Sequence, residues 1–387
     1  MGSSTRSLLL LLLTFCLASV TLAGSFSLAK VGTTVTSSAL SDLGSSVLYA
    51  GGNVYVGSLA DNEVLIYTCT ASCTQTKNLT GNPGDQFGTA IALVGNLLLV
   101  GAPGNASFYL YNSTNSFAPL GQIFDPSSST SSLFGTTLAL ISSGTVLVGA
   151  PGSSSSNGVV YTYSCSSTTC SYASNATAPT KANGDLFGSS IAIDSSTTNA
   201  IIGAPGNAVA HLFSLTGNTL SFITNVTGTA GANFSSSVAA SSSLFAVGSP
   251  SASPFGLVYV YSCNTTTCIL VTTLSTSDNN FGNALSMSGS LLIVSADQKS
   301  SSTGGVYLYY CNSAGCTQDG SLLGESSGDL FGSSVSLVSS NLFIGASGKS
   351  GNGSFYYFSK LKLLMFSFFV AVVVVFILTC RFLLLLL

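Results

Sequence analysis

The chain has 387 residues, 46% hydrophobic and only 5% charged, with a formal net charge of −3. A soluble domain ordinarily carries about 25% charged residues, so Ser, Thr, Asn and Gly, helped by sugar, must wet this surface. Its few lysines and arginines form no basic stripe, which argues against nucleic-acid binding.

At the N-terminus Arg6 precedes "SLLLLLLTFCLASVTLA", a positive region, an apolar core and small residues at a cleavage point after Ala23. This pattern predicts a secretory signal peptide over residues 1–23. The next run, "SFSLAKVGTTV" at residues 25–35, reads as a strand standing ahead of everything that repeats.

From there one sentence is written seven times. "GDQFGTAIALVGNLLLVGAPG" at residues 84–104 returns as "GDLFGSSIAIDSSTTNAIIGAPG" at residues 184–206. The anchors are Phe87, Phe134, Phe187, Phe281 and Phe331, each followed by Gly, with Phe234-Ser235 and Leu43-Gly44 as degenerate copies, and they lie 44–53 residues apart. In each copy a short alternating run follows the anchor, then a wholly apolar run such as "TVLVG". Gly-Ala-Pro or a variant turns the chain into a Tyr-rich run such as "GVVYTYSC", and a weaker fourth run such as "ILVTTL" leads to the next anchor. Short β-branched and aromatic runs punctuated by Gly, Pro and Ser are strands. Four strands per repeat of this length make a propeller blade. The expected fold is all-β, a seven-bladed β-propeller over residues 24–360. The last copy lacks a fourth run, so the strand at 25–35 is expected to complete the seventh blade and close the ring, covering sheet edges.

These residues resemble the FG-GAP repeat, whose best-known fold is the seven-bladed head of integrin α chains. The resemblance covers about residues 25–359. It implies cell-surface recognition or adhesion, with a protein or glycan ligand. Many integrin-type blades hold calcium between their first two strands. Here those stretches read "VGN", "SSGT", "DSSTTN", "SSS", "SGS" and "SSN", and only Asp194 offers a carboxylate. A calcium site needs six to eight oxygens, so no metal or other cofactor is expected, and Asp194 reads as a turn residue. The chain does not continue into integrin legs and is not expected to be an integrin α chain.

Setting Cys16 and Cys380 aside, the cysteines form four close pairs: Cys69 and Cys73, Cys165 and Cys170, Cys263 and Cys268, Cys311 and Cys316. In an oxidising compartment such pairs read as disulfides. Zinc is the rival reading, but no histidine lies near. Each pair would clip the hairpin between third and fourth strands. Sequons at Asn78, Asn105, Asn112, Asn175, Asn225, Asn233, Asn264 and Asn352 are the candidate glycosylation sites.

The loops before Phe-Gly and after Gly-Ala-Pro share one face, expected to point outward. Asp85, Asp185 and Asp329 recur there in "GDxFG". They read either as Asx-turns entering the first strand or as outer-face binding residues. Catalysis finds no support in the sequence. The one histidine, His211, stands where other blades have Tyr, and no nucleophile set, zinc motif or phosphate loop is visible.

The chain ends in "LLMFSFFVAVVVVFILTCRFLLLLL" from Leu363 to Leu387. About 20 apolar residues cross a bilayer as a helix, so residues 361–387 are expected to be a single-pass membrane segment. A GPI signal starting at "NGS", residues 352–354, is the alternative, although cleavage there would remove "FYYFS" from the last blade. The reading is therefore a glycosylated, membrane-anchored recognition protein displayed at the cell surface. The alternative is a surface coat without a specific ligand.

Overall fold

In the computed structural model the described residues are 28–360, apart from 33, 37–39, 142–143, 181 and 230. The signal and anchor segments expected at the two ends lie outside them. Among the described residues no helix is long and apolar enough to cross a membrane.

The alternating and apolar runs fold into seven antiparallel sheets, the blades of a propeller. Six blades are contiguous in sequence, spanning residues 46–80, 91–124, 137–176, 190–227, 238–274 and 281–323. The seventh takes three strands from residues 331–360 and is completed from the N-terminus. Strand Leu28–Lys30 lies beside Ser354–Lys360, and Val35–Thr36 pairs antiparallel with the same strand, Val35 opposite Phe355. The closing segment expected as one strand is thus two short ones. First strands of neighbouring blades touch all the way round, the seventh meeting the first.

The apolar second runs are what the core demands. Leu97–Ala102, Thr145–Ala150, Asn199–Ala204, Leu244–Ser249 and Leu291–Ala296 are buried at every position. Blades stack face to face, so a second strand is covered on both sides and needs no alternation. The core lies between blades: Leu97, Leu99 and Phe108 of the second pack with Phe134, Val146 and Val148 of the third. The outermost strands are largely exposed and carry a bulge at the same place in six blades, as between Thr162 and Tyr163 or Leu308 and Tyr309. Bulges increase local twist, and a repeated one bends these six blades alike.

Phe-Gly and Gly-Ala-Pro meet between neighbouring blades. A Ser or Thr two residues after the anchor glycine donates its hydroxyl to the anchor carbonyl of the next blade: Ser46 to Gly88 at 2.6 Å, Thr137 to Gly188 at 2.9 Å and Ser237 to Gly282 at 2.6 Å. The same bond, Ser334 to Gly44 at 2.8 Å, joins the seventh blade to the first. The glycine of Gly-Ala-Pro lies against that carbonyl; a Cβ on Gly149 would collide with the Gly188 oxygen. Ser235 replaces an anchor glycine at φ +68°. Its buried hydroxyl answers this backbone strain by donating to the Val209 carbonyl at 2.7 Å and accepting the Ala204 N–H at 3.0 Å.

Candidate functional site

The loops before each anchor and after each Gly-Ala-Pro form one face, joined within a blade by backbone bonds such as Gly104 N–H to the Asp85 carbonyl at 2.9 Å and Gly206 N–H to Asp185 at 3.1 Å. The other face carries the tight turns and the third-to-fourth hairpins. All four cysteine pairs are disulfide-bonded there, in the first, third, fifth and sixth blades, with the partners opposite each other in register.

Beneath the loop face a single arrangement recurs. Each anchor phenylalanine is fully buried and meets an aromatic ring of its own blade's third strand edge-on. The pairs are Phe87 with Tyr109, Phe134 with Tyr161, Phe187 with His211, Phe234 with Tyr259, Phe281 with Tyr307 and Phe331 with Tyr356, at centroid distances of 5.0–5.6 Å. Such contacts favour the edge-to-face geometry of ring quadrupoles. The residue before each of these six phenylalanines is left-handed, with φ between 50° and 64°, including Leu133, Leu186 and Leu330. Asn233 and Asn280 suit that conformation, but leucine is no marker of it, so in the three blades with leucine the sequence gives no sign of it.

The candidate aspartates belong to this arrangement. Asp85, Asp185 and Asp329 are buried, 5%, 3% and 2% exposed. Their carboxylates do not make the expected forward Asx-turn. Each reaches back and accepts the N–H three residues earlier: Asn82 at 3.3 Å, Ala182 at 2.8 Å and Ser326 at 2.9 Å. Asp85 also accepts the Tyr109 hydroxyl at 2.6 Å. Burial, and then this carboxylate, push the Tyr109 phenol well above its ordinary range. These side chains hold the loops from below.

His211 occupies the tyrosine position of the fourth blade. Burial lowers it to about 4, opposed by the Asp185 charge, and its Nδ1 is buried without a partner. In the sixth and seventh blades a lysine joins the pair. Lys299 reaches Asp278 at 2.8 Å and the Tyr307 hydroxyl at 2.7 Å. Lys349 reaches Asp329 at 3.2 Å and Glu325 at 2.7 Å, and Lys30 of the closing strand reaches Glu325 at 2.8 Å. The two ammonium groups bound to Glu325 hold its carboxyl at about 2. Lys30, Lys299, Lys349 and Glu325 were not singled out in the sequence; aligning the loops after Gly-Ala-Pro would have placed both Lys299 and Lys349 four residues past its first position.

Asp194 lies on the opposite face. Its buried carboxylate accepts the Ser196 and Thr197 hydroxyls and, from the next blade, the N–H groups of Ser242 at 3.2 Å and Ser243 at 2.8 Å. Burial alone would raise its pKa, but these bonds outweigh it and hold the carboxyl low. Among the described residues no three His, Cys, Asp or Glu side chains gather as metal ligands.

Asn78, Asn175, Asn225, Asn233 and Asn264 are exposed, while Asn105, Asn112 and Asn352 are half-buried. Asn78, Asn175 and Asn225 share one register position of the outermost strand, opposite Leu65, Tyr161 and His211. The loop face itself exposes Leu133 and Phe255. A scan of the chain against protein-family models finds no match, and a search among curated proteins finds none either.

Proposed function

We propose that the chain is an FG-GAP-type propeller, anchored in a membrane by its C-terminal segment, that recognises a protein or glycan through its loop face. One observation carries this reading. The framework beneath the loop face repeats blade after blade, while the loops it supports differ in length and composition, from "GNPGDQ" to "DPSSSTSSL". Variable loops on a rigid frame suit recognition, and exposed Leu133 and Phe255 offer apolar contact there. The opposite face carries the disulfide clips, and the last strand, Ser354–Lys360, ends on that side. The step from propeller to recognition is an argument from fold.

Cells displaying the full chain test it, through saturable adhesion to other cells and to extracellular matrix. Adhesion is expected to resist EDTA, to fall with Leu133→Asp and Phe255→Asp combined, and to survive Ile269→Asp on the outer rim. No saturable adhesion would leave the glycosylated coat, a reading favoured by the five exposed sequon asparagines.

A further inference from the structure

Two exposed rings stand on the outermost strands of the third and fourth blades. Tyr172 lies in Cys170–Ala176 and Phe222 in Thr219–Thr227, and they are 50% and 45% exposed. Each is followed three residues later by a sequon asparagine, Asn175 in "NAT" and Asn225 in "NVT". In a regular strand, residues three apart point to opposite faces. The bulge changes this. Tyr172 lies opposite Tyr163 and Asn175 opposite Tyr161, so two steps on the blade's third strand match three on its fourth. Residues directly opposite share a face, and so do Tyr161 and Tyr163, two apart on one strand. Tyr172 and Asn175 are therefore on the same face. The fourth blade repeats the register, with Phe222 opposite Phe213 and Asn225 opposite His211.

Ring contacts fix the placement. The Tyr172 centroid is 6.2 Å from that of Tyr161, the residue opposite Asn175, and 6.1 Å from that of Tyr163. Phe222 is 6.2 Å from His211, the residue opposite Asn225, and 5.7 Å from Phe213. Each exposed ring thus rests against two rings of its own blade, with much of its surface left to water. Ring and sequon go together. At this register position of the six bulged blades the other residues are Gln75, Pro119, Leu270 and Gln318, none of them aromatic. Pro119, Leu270 and Gln318 have no sequon three residues on. Gln75 does, at Asn78, which is exposed and opposite Leu65. The first blade therefore holds the same site without the ring.

We propose that Tyr172 and Phe222 are seats for the first sugar of N-linked glycans on Asn175 and Asn225. That sugar is a β-linked N-acetylglucosamine, one face of which presents axial C–H bonds. The face of an aromatic ring carries the negative part of its quadrupole, so those C–H bonds settle on it and cover apolar surface otherwise left in water. In the attachment step the asparagine Nδ2 bonds to C1 of a lipid-pyrophosphate-linked oligosaccharide. The bond from C1 to the pyrophosphate oxygen breaks, the lipid pyrophosphate leaves, and Nδ2 gives up one proton. The chain's own contribution is the bulge, which brings ring and asparagine to one face and makes the sugar part of the blade's outer wall. The seats rest on the reading that the chain enters the secretory pathway and is glycosylated there.

The test is thermal unfolding of the full chain made in secreting animal cells, with glycan occupancy read by mass spectrometry. Asn175→Gln and Asn225→Gln are each compared in the wild-type background and beside Tyr172→Ser or Phe222→Ser. Loss of the sugar is expected to lower Tm by on the order of 2 °C more where the ring is present than where it is replaced. A glycan that only solubilises would show no such non-additivity. Trimming every glycan to its first sugar should keep the effect. Asn78→Gln should lower Tm more beside Gln75→Phe than beside the native Gln75, which decides the matter if a ring variant fails to fold. Equal shifts with and without the ring, loss of the effect on trimming, or sugar missing from Asn175 and Asn225 alone would overturn the seats and leave the secretory reading standing. No sugar on any sequon would overturn both.

Discussion

Ala284 donates its N–H to the hydroxyl of Ser295 at 2.8 Å, across the first two strands of the sixth blade. Five of the other six blades arrange this pair the opposite way round, the second having Ala90 against Gly101 with no hydroxyl. Thr137 faces Gly149, Ser190 faces Gly203 and Ser46 faces Gly57, the hydroxyl on the first strand and the glycine on the second. In the sixth blade the hydroxyl has crossed the ladder, and alanine cannot make the bond that Thr137 sends to the next blade. Ser295→Gly alone should cost about 1 kcal/mol through the lost bond. Ala284→Ser with Ser295→Gly should recover it by bonding the Gly332 carbonyl. A double-mutant cycle on denaturant unfolding would show this as non-additivity; additive effects would refute the exchange.

The glycine half of that pair is predicted to be the less forgiving. Gly149→Ala drives a Cβ into the Gly188 carbonyl, and backbone cannot move aside cheaply. Thr137→Ala removes one hydrogen bond, about 1 kcal/mol. Urea unfolding should rank the glycine change well above the threonine change.

Acid should destabilise this propeller in two steps. The folded His211 resists protonation until about pH 4, while an unfolded chain's histidine takes its proton near 6.5. Its contribution is therefore complete above about pH 6.5 and declines as the pH falls toward 4, by roughly 3 kcal/mol in all. Glu325 is held at about 2 against an ordinary 4.5, so its contribution is present above 4.5 and lost as the pH falls toward 2. His211→Tyr should restore the sibling pairing with Phe187 and remove the first step from a Tm-against-pH curve, leaving the second. Retention of both steps would reject the assignment.

Asp85→Asn should lower stability by about 1–3 kcal/mol, because the Tyr109 hydroxyl and the Asn82 N–H lose a charged acceptor. It should also bring the Tyr109 phenol down toward its ordinary range, visible in ultraviolet titration of tyrosinate. An unchanged titration would mean that burial alone raises Tyr109.

Replacing Cys165 and Cys170 together by alanine should cost at most about 2 kcal/mol, since the loop they close is short and removes little entropy from the unfolded chain. A larger loss in chemical unfolding would give the clip a role in folding that its geometry does not predict.

The repeat made the fold legible. Seven anchors in step, four runs per copy and a short last copy give the blade number, the strand count and the closure of the seventh blade by the N-terminus. The reason is that each blade repeats the same local pattern, and period-2 alternation, apolar runs and turn residues are all properties of neighbours in sequence. The position of His211 was readable too, by alignment with Tyr161. What the three aspartates do was not, because a carboxylate that reaches back to Asn82 and up to Tyr109 is defined by two strands brought together. Nor does "Phe-Gly-Ser-Ser" reveal that its last serine bonds the following blade.

By itself the sequence determined the blades, since a blade is local. The tertiary structure decided what lies between them: which glycines must be bare, which hydroxyls cross from blade to blade, and where a lysine joins an aspartate and a tyrosine. Those contacts join residues about fifty positions apart, and Ser334 to Gly44 joins neighbouring blades from opposite ends of the propeller's sequence. No local pattern encodes them; closing the ring does.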